Sequence, residues 1–357
     1  MNYNYAFNKL CFQYVMHSTC HSERSEESLK RVNKDMKYNI DKELKSISIY
    51  SGSMVGRLYP LVNIGYRLNK CWSDRVVRVS KITTPGYQGV KIPTLIFEPK
   101  NILDVSEKLP CIMFFHGGGF LMSASGAHYM IAKWYAYKLN CKVIMPDYRL
   151  MPKYTYPVAI EDCYATYNWG LKNAEKLGID KDNIFVTGDS AGGNIAASVV
   201  AMLHERILKD RNLKERGEPL PKGVLLIYPV IDKRMITESM KRFTDTPIWD
   251  SHCNKLLWEM YLKNQDPEQA KFASIAELES LDFFPDTYIE VAEFDCLHDE
   301  GIAFAQRLKK EGVATELHDI KGACHGYEAA TKSSIVHSCM KHRIDWIRKI
   351  EKNKKNN

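Results

Sequence analysis

Ser190 is the residue whose neighbours most clearly indicate chemistry. It lies in the sequence Gly188-Asp-Ser-Ala-Gly192, after a β-prone run at residues 184–187 and before a long alanine- and valine-rich segment. The pattern predicts a strand, a sharp turn and a helix, with the serine at the turn. Two flanking glycines without Cβ atoms let the strand and the helix pass close together. Such a tight turn strains the serine backbone by about 1–3 kcal/mol and presents its hydroxyl as a candidate nucleophile.

A serine hydroxyl is a weak nucleophile unless a base, an orienting acid and donors for the developing oxyanion accompany it. The donors are predicted at residues 114–120, Phe-Phe-His-Gly-Gly-Gly-Phe, which follow a strand-like run. Three glycines in succession let backbone N–H groups point into a cavity. We expect the N–H groups of Gly118, Gly119 and Ala191 to bind the oxyanion. A phosphate-binding loop is not indicated, because the G-x-x-x-x-G-K-[ST] pattern is absent.

Further residues of these two motifs are expected to support the turn and the loop rather than react. His116 is interpreted as a structural residue that holds the glycine loop, and not as a second base. The supporting residues are His116, Gly117, Gly188, Asp189 and Gly192.

Four acids near residues 288–301 could orient the base. Asp295 falls just past the end of a predicted strand, where such an acid is needed, and it is favoured. Glu293 comes about two residues too early. Asp299 and Glu300 fall where a helix should begin, so helix capping and compensation of the helix dipole would explain them.

Two histidines lie in or after the next predicted strand. His318 lies inside the alternating strand pattern and is expected to face solvent, whereas His325 lies in a glycine-flanked loop. An imidazole in such a loop can serve as both acid and base, so His325 is favoured. His298 is expected to flank a helix. His204 begins His-Glu-Arg-Ile-Leu, which lacks the second histidine of a zinc protease, so no metal is indicated.

The elements that must position these residues alternate along the chain. A hairpin is predicted over 76–97, with its turn at 83–89. Strands are then predicted at 111–115, 142–145, 184–187, 224–228, 287–291 and 315–320, and helices at 127–139, 160–177, 191–209, 299–312 and 332–350. This order predicts an α/β fold with a mostly parallel central sheet and helices on both faces.

Taken together, these motifs resemble those of the hormone-sensitive-lipase-like family of α/β-hydrolase esterases. G-x-S-x-G is the nucleophile turn of α/β-hydrolases and H-G-G-G their oxyanion motif, and Ser, Asp and His follow in the order of that fold. The resemblance covers roughly residues 75–350. It is carried by His116 to Phe120, Asp147 to Leu150 with Pro157, Glu161 and Asp162, Gly188 to Asn194, Asp295 to Gly301, and His325 to Tyr327.

The resemblance implies a serine carboxylesterase that hydrolyses small-molecule esters with short to medium acyl chains through an acyl-enzyme, without a metal or organic cofactor. It also implies a helical cap over the active site. An amidase or arylacetamide-type deacetylase with the same triad is the alternative, since no motif reports the leaving group. A third hypothesis is a non-catalytic binding protein; it is disfavoured because plant hormone receptors that resemble this family have lost the histidine that is present here as His325.

The domain boundaries follow from changes in composition. Residues 1–35 include a polar, low-complexity stretch and are expected to be a disordered extension. Residues 36–75 are predicted to be a helical cap segment, and residues 76–351 the catalytic domain. A cap insertion is expected at about 232–280, which is longer than one crossover helix needs, and a disordered tail at 352–357.

Net charge, hydropathy and cysteine usage limit the kinds of binding partner and the compartment that we expect. The formal net charge is +7, but the excess lies mainly in residues 1–80, so no nucleic-acid footprint is indicated for the rest. No apolar run reaches the roughly 18–20 residues of a membrane span, so stable membrane insertion is not expected. The ten cysteines lack C-x-x-C pairs and are interpreted as buried free thiols of a cytoplasmic protein. A homodimer stays open.

Overall fold

The structure, a computed structural model, describes residues 37–68, 71–100, 108–210, 219–263, 265–266 and 270–353. The extension predicted over 1–35 therefore lies outside the described residues, as do residues 354–357 of the predicted tail. Residues 352 and 353, predicted as part of that disordered tail, instead belong to the last helix. Residues 41–357 form one compact unit. Of the other unit, residues 1–40, only residues 37–40 are described.

Eight strands form the central sheet in the order β1-β2-β4-β3-β5-β6-β7-β8. The strands are β1 (Val77–Pro85), β2 (Lys91–Pro99), β3 (Leu109–Phe115), β4 (Lys142–Pro146), β5 (Ile179–Asp189), β6 (Gly223–Ile227), β7 (Asp286–Phe294) and β8 (Thr315–Cys324). β1 pairs antiparallel with β2, and β2 with β4, whereas the pairs from β4 to β8 are parallel. The predicted hairpin and the mostly parallel sheet are confirmed.

Helices cover both faces of this sheet. They are α1 (Lys45–Ser48), α2 (Gly52–Leu68), α3 (Gly126–Leu139), α4 (Val158–Lys172), α5 (Ala174–Leu177), α6 (Ala191–Lys209), α7 (Glu238–Arg242), α8 (Ser251–Tyr261), α9 (His298–Lys310) and α10 (Ser334–Asn353). Single turns of 3₁₀-helix occur at Lys42–Leu44, Tyr87–Gly89, Ile275–Glu277 and Tyr327–Ala329. The helices predicted from β3 onwards are present, although the one predicted at 160–177 is divided into α4 and α5.

The central strands are buried because their sequences are apolar on both faces. In β6 every residue is buried, and in β3 all but one are. Runs of this kind are typical of parallel strands covered by helices on both sides. Two strands extend further than their apolar cores predict, since β5 begins at Ile179 and β8 continues to Cys324. The extension of β8 leads the chain directly into His325.

The chain order places a switch point in the middle of the sheet. After β3 the chain passes to β4 on one side, and it then returns to form β5 on the other side of β3. In open α/β sheets ligands bind beyond the carboxyl ends of the strands at such a point. The predicted catalytic residues and oxyanion donors all follow the carboxyl ends of β3, β5, β7 and β8, so the topology directs them to one edge.

The long connection between β6 and β7 contains α7, α8 and the 3₁₀ turn at Ile275–Glu277. This connection and α2 are the two segments that are predicted to form a cap. Across the described residues, no helix has the length and apolar character that crossing a membrane requires. The eight described cysteines are free thiols, and six of them are buried, as the sequence predicts.

Candidate active site

Ser190 occupies a strained turn between β5 and α6. Its backbone has φ 54° and ψ −120°, which is uncommon for a residue with a Cβ atom. Its N–H donates to Ile227 O at 2.8 Å, which ties the turn to the end of β6. A Cβ on Gly188 would lie 2.1 Å from Gly192 O, and one on Gly192 would lie 2.0 Å from Phe115 O. The two glycines are therefore required by the crossing of strand and helix.

Three side chains predicted from the sequence form one hydrogen-bonded chain. His325 Nε2 lies 2.9 Å from Ser190 Oγ, and His325 Nδ1 lies 2.6 Å from Asp295 Oδ2. An imidazole with its proton on Nδ1 donates to Asp295 and leaves the Nε2 lone pair for the serine hydroxyl. Ser190 and His325 are each 4% exposed and Asp295 is fully buried. The serine proton thus has an acceptor at hydrogen-bond distance.

The favoured acid is well held for this arrangement. Asp295 directly follows β7, and its Oδ1 accepts the backbone N–H of Leu297 at 3.0 Å while Oδ2 faces His325. Glu293 instead accepts the N–H of Gly322 at 2.8 Å. Asp295 therefore contacts the imidazole of His325 directly, whereas the carboxylate of Glu293 is bonded to the backbone of Gly322.

Asp299 and Glu300 were predicted to cap their own helix, and this was wrong. Both lie in the first turn of α9, which has no side-chain cap. Asp299 Oδ2 accepts the N–H of Ser239 at 2.8 Å, and Glu300 Oε1 accepts the N–H of Ile231 at 2.9 Å. The carboxylates bind distant donors because the loop after β6 and helix α7 pack against this turn. Burial raises the pKa of Glu300 well above its ordinary value.

His318 was expected to face solvent, and this was wrong. It lies in β8, where its ring stacks on Tyr288 at 4.8 Å between centroids and its Nε2 lies 2.7 Å from Glu316 Oε1. Its side chain is only 22% exposed. The pairing of β7 with β8 sets Tyr288 beside His318, and His342 of α10 also stacks on its ring at 5.1 Å, so a face that the alternation alone left open is covered.

The glycine loop lies beside Ser190 at the end of β3. Its Gly118 and Gly119 have φ +114° and +61°. Within the described residues, the N–H groups of Gly118, Gly119 and Ala191 donate no hydrogen bond. These are the three donors that the sequence predicts, and each is free to bind an oxygen atom of a substrate.

Asp189 holds the start of this loop. Its Oδ1 accepts the N–H of Gly117 at 2.9 Å, and its Oδ2 lies 3.2 Å from His128 Nε2. His128 Nδ1 accepts the N–H of Ser125 at 2.9 Å, which leaves Nε2 as the donor to Asp189. Burial lowers the pKa of His128, but the nearby carboxylate outweighs burial, and the pKa is raised. The sequence did not single out His128.

His116 has the structural environment that its motif suggests. Its Nδ1 lies 2.8 Å from Gly117 O, its backbone O accepts the hydroxyl of Tyr148 at 2.7 Å, and its ring stacks on Tyr148. Burial lowers the pKa of His116 to about 4, so the ring is neutral at pH 7. His116 does not take part in the hydrogen bonds of Ser190.

Trp249, which the sequence motifs do not indicate, also lies close to His325. It is buried, its ring lies 5.9 Å from that of His325, and a Cβ on Gly119 would lie 3.0 Å from its Cη2 atom. Trp258, in the next helix, packs on Tyr261. A tryptophan just before α8 could be placed near the site only by the fold.

In the part of the chain described, no three His, Cys, Asp or Glu side chains form a potential metal cluster.

Comparisons with known proteins show the family of this chain. A family model described as "alpha/beta hydrolase fold" matches residues 112–329. The esterase LipI of Mycobacterium tuberculosis is 32% identical over 253 residues, which are 70% of this chain and 75% of that protein. The carboxylesterase NlhH of the same species is 32% identical over 68% of this chain and 74% of its own length.

A solved structure gives the same result. The structure titled "Bacterial Heroin Esterase" superposes with a TM-score of 0.74 and 29% identity, and the match covers 87% of this chain and 98% of that one. The similarity therefore extends over nearly the whole of that protein.

Proposed function

We propose a serine mechanism for this chain, which belongs to the hormone-sensitive-lipase-like family of α/β-hydrolase esterases and is a carboxylic ester hydrolase. The single observation that supports the mechanism is the hydrogen-bonded chain from Ser190 Oγ through His325 to Asp295. Serine hydrolases use this arrangement of nucleophile, base and orienting acid.

In the first half-reaction, His325 Nε2 takes the hydroxyl proton of Ser190 while Oγ attacks the ester carbonyl carbon. Asp295 stabilises the imidazolium that forms, and it keeps Nε2 directed at the serine. His325 then gives the proton to the departing alkoxide, so an alcohol leaves and the acyl group remains bonded to Oγ.

The negative charge of the tetrahedral intermediate needs donors that are already in place. The N–H groups of Gly118, Gly119 and Ala191 are proposed to bind this oxyanion, because they make no other hydrogen bond in the described structure. Removal of one such donor typically costs on the order of 10²–10³ in kcat.

In the second half-reaction, water replaces the alcohol. His325 takes a proton from the water, the hydroxide attacks the acyl carbonyl, and Ser190 leaves as the protonated hydroxyl. Small-molecule esters with short to medium acyl chains are the proposed substrates. Trp249 supports this proposal, since its buried ring limits the space next to His325 and Gly119.

The mechanism is tested by Ser190→Ala in an assay with p-nitrophenyl butyrate. We expect turnover to fall by several orders of magnitude, because the acyl-enzyme cannot form, while the circular dichroism spectrum stays that of the wild type. Ser280→Ala is the matched control, since its hydroxyl bonds Asp282 and Glu311 rather than His325. Unchanged turnover in Ser190→Ala would contradict the mechanism.

The class of bond is tested separately. Rates for p-nitrophenyl esters of increasing acyl length are compared with rates for the matched anilides. Faster turnover of short esters than of anilides is expected; faster turnover of anilides would favour the amidase alternative.

A further inference from the structure

A cluster of buried charges lies behind His325, and the mechanism above does not use it. Its members are Glu290 on β7, Arg343 on α10 and Glu328 in the 3₁₀ turn three residues after His325. All three side chains are at least 90% buried, and Arg343 is only 1% exposed. Removing a charged side chain from water costs free energy, so buried charges are normally paired with a partner.

Glu290 and Arg343 already form a balanced pair. Arg343 donates through Nε to Glu290 Oε1 at 2.9 Å and through Nη2 to Oε2. The hydroxyls of Tyr288 and Tyr327 donate to the same carboxylate. Burial raises the pKa of Glu290, but Arg343 and these donors outweigh burial, so the pKa is lowered. The pair needs no further charge.

Glu328 is therefore a surplus carboxylate. It accepts from Arg343 Nη1, which leaves two buried carboxylates facing one guanidinium. Burial raises the pKa of Glu328 despite this contact. A second carboxylate in such a site does not improve the charge balance, and buried ionic groups are often less stabilising than apolar ones of similar size. The charge balance of the cluster does not account for Glu328.

The other oxygen of Glu328 leads to the site. It accepts the hydroxyl of Tyr228, whose ring lies 4.8 Å from that of His325 between centroids. Tyr228 follows Ile227, the residue whose carbonyl holds the N–H of Ser190. Its own N–H donates to Glu290 O at 2.7 Å, and its φ is +34°. One tyrosine thus contacts the base and is joined to the turn that carries the serine.

We infer that Tyr228 is a positioning residue that keeps His325 directed at Ser190, and that Glu328 holds Tyr228 in place through its hydroxyl. The inference rests on the proposed serine mechanism. A ring fixed at its hydroxyl end by Glu328, and at its backbone by Glu290, restricts the imidazole beside it. Small displacements of a reacting group can cost about 100-fold in rate.

The test compares kcat and KM for four variants. Tyr228→Phe keeps the ring and removes the bond to Glu328, and Glu328→Leu removes the same bond from the other side. We expect kcat to fall between about 10- and 100-fold in both with KM unchanged, because substrate binding is not altered. The double variant should be no slower than either single one. Glu328→Gln retains a hydrogen-bond partner for Tyr228 and should keep most of kcat.

Stability measurements separate positioning from a structural role. Glu328→Leu leaves Arg343 Nη1 and the Tyr228 hydroxyl without their acceptor, so its urea midpoint should fall. Tyr228→Phe leaves the contacts of Arg343 with both carboxylates in place, so its urea midpoint should stay close to that of the wild type. Tyr288→Phe is the matched control: it also removes a tyrosine hydroxyl from this cluster, and it should leave kcat unchanged.

Normal kcat in Tyr228→Phe would overturn the inference. So would equal losses in Glu328→Gln and Glu328→Leu, which would indicate that charge acts rather than the hydrogen bond. A urea midpoint that falls as far in Tyr228→Phe as in Glu328→Leu would make the bond between Tyr228 and Glu328 structural and would also overturn it. Ser190→Ala is assayed in parallel. Unchanged turnover in Ser190→Ala would contradict the serine mechanism itself. An inactive Ser190→Ala together with a normal kcat in Tyr228→Phe would reject only the positioning role.

Discussion

Asp295 and Asp299 are four residues apart, and their surroundings give them different tasks. Asp295 is fully buried and faces His325, whereas Asp299 accepts the N–H of Ser239 at the start of α7. Asp299 also lies 2.8 Å from His298 Nδ1. Burial raises the pKa of Asp299, but His298 and Ser239 outweigh burial, and the pKa is lowered. Its carboxylate is therefore committed to holding α7.

At the residue scale, Asp295→Asn should lower kcat by about 10⁴-fold, because the amide favours the wrong imidazole tautomer. Asp299→Asn is the matched control and should leave kcat close to that of the wild type, since its side chain does not contact His325. Both are measured with the same p-nitrophenyl ester. A larger loss in Asp299→Asn would mean that the acid has been assigned to the wrong residue.

The side chain of Asn63 joins helix α2 to the residues that follow the glycine loop. Asn63 Nδ2 donates to Leu121 O at 2.8 Å, and Asn63 Oδ1 accepts the N–H of Ser123 at 2.8 Å. Leu121 and Ser123 follow the glycines that carry the proposed oxyanion donors. On the same helix Leu61 is 56% exposed. The two hydrogen bonds of the Asn63 side-chain amide thus support the proposal that α2 belongs to a cap.

At the element scale, Asn63→Ala should loosen α2, because each hydrogen bond contributes about 1 kcal/mol. Limited proteolysis should then cleave within residues 52–68 faster than in the wild type, and KM for p-nitrophenyl esters should rise. Leu61→Ala is the control, because its exposed side chain makes neither bond. Equal cleavage rates in Asn63→Ala and the wild type would contradict this role.

For the molecule as a whole, the buried histidines make stability depend on pH. Burial lowers the pKa of His116 to about 4, against about 6.5 in an unfolded chain. As the pH falls below about 6.5, the unfolded chain binds a proton that the folded chain does not, so the free energy of unfolding decreases. His128 acts in the opposite direction: its raised pKa stabilises the fold at low pH, and that contribution is lost as the pH rises through its folded pKa.

At this scale, His116 should account for a loss of about 2 kcal/mol of unfolding free energy between pH 7 and pH 5. Urea unfolding at both pH values measures the loss in the wild type and in His116→Gln, where it should be smaller by that amount. His252→Gln, an exposed histidine, is the control and should lose as much as the wild type. The same loss in all three proteins would show that His116 is not responsible.

Local patterns in the chain were sufficient for the order of strands and helices and for the candidate site. The turn around Ser190 could be predicted because glycine, serine and β-prone residues there act over a few neighbouring positions. The place of Asp295 followed from its position after a strand, and that of His325 from its glycine-flanked loop. Parallel strands end at one edge, so a correct order of elements was enough to predict that these residues meet.

Contacts between distant parts of the chain were decided by the tertiary structure alone. His128 with Asp189, Asp299 with Ser239, and Glu328 with Tyr228 are pairs separated by 60 or more residues. His318 was expected in solvent because strand alternation does not report what packs across a sheet. Trp249 and Tyr228 reach His325 through the packing of loops, for which no periodicity exists. The chain thus encodes its reacting groups locally, while their support depends on how distant surfaces are brought together.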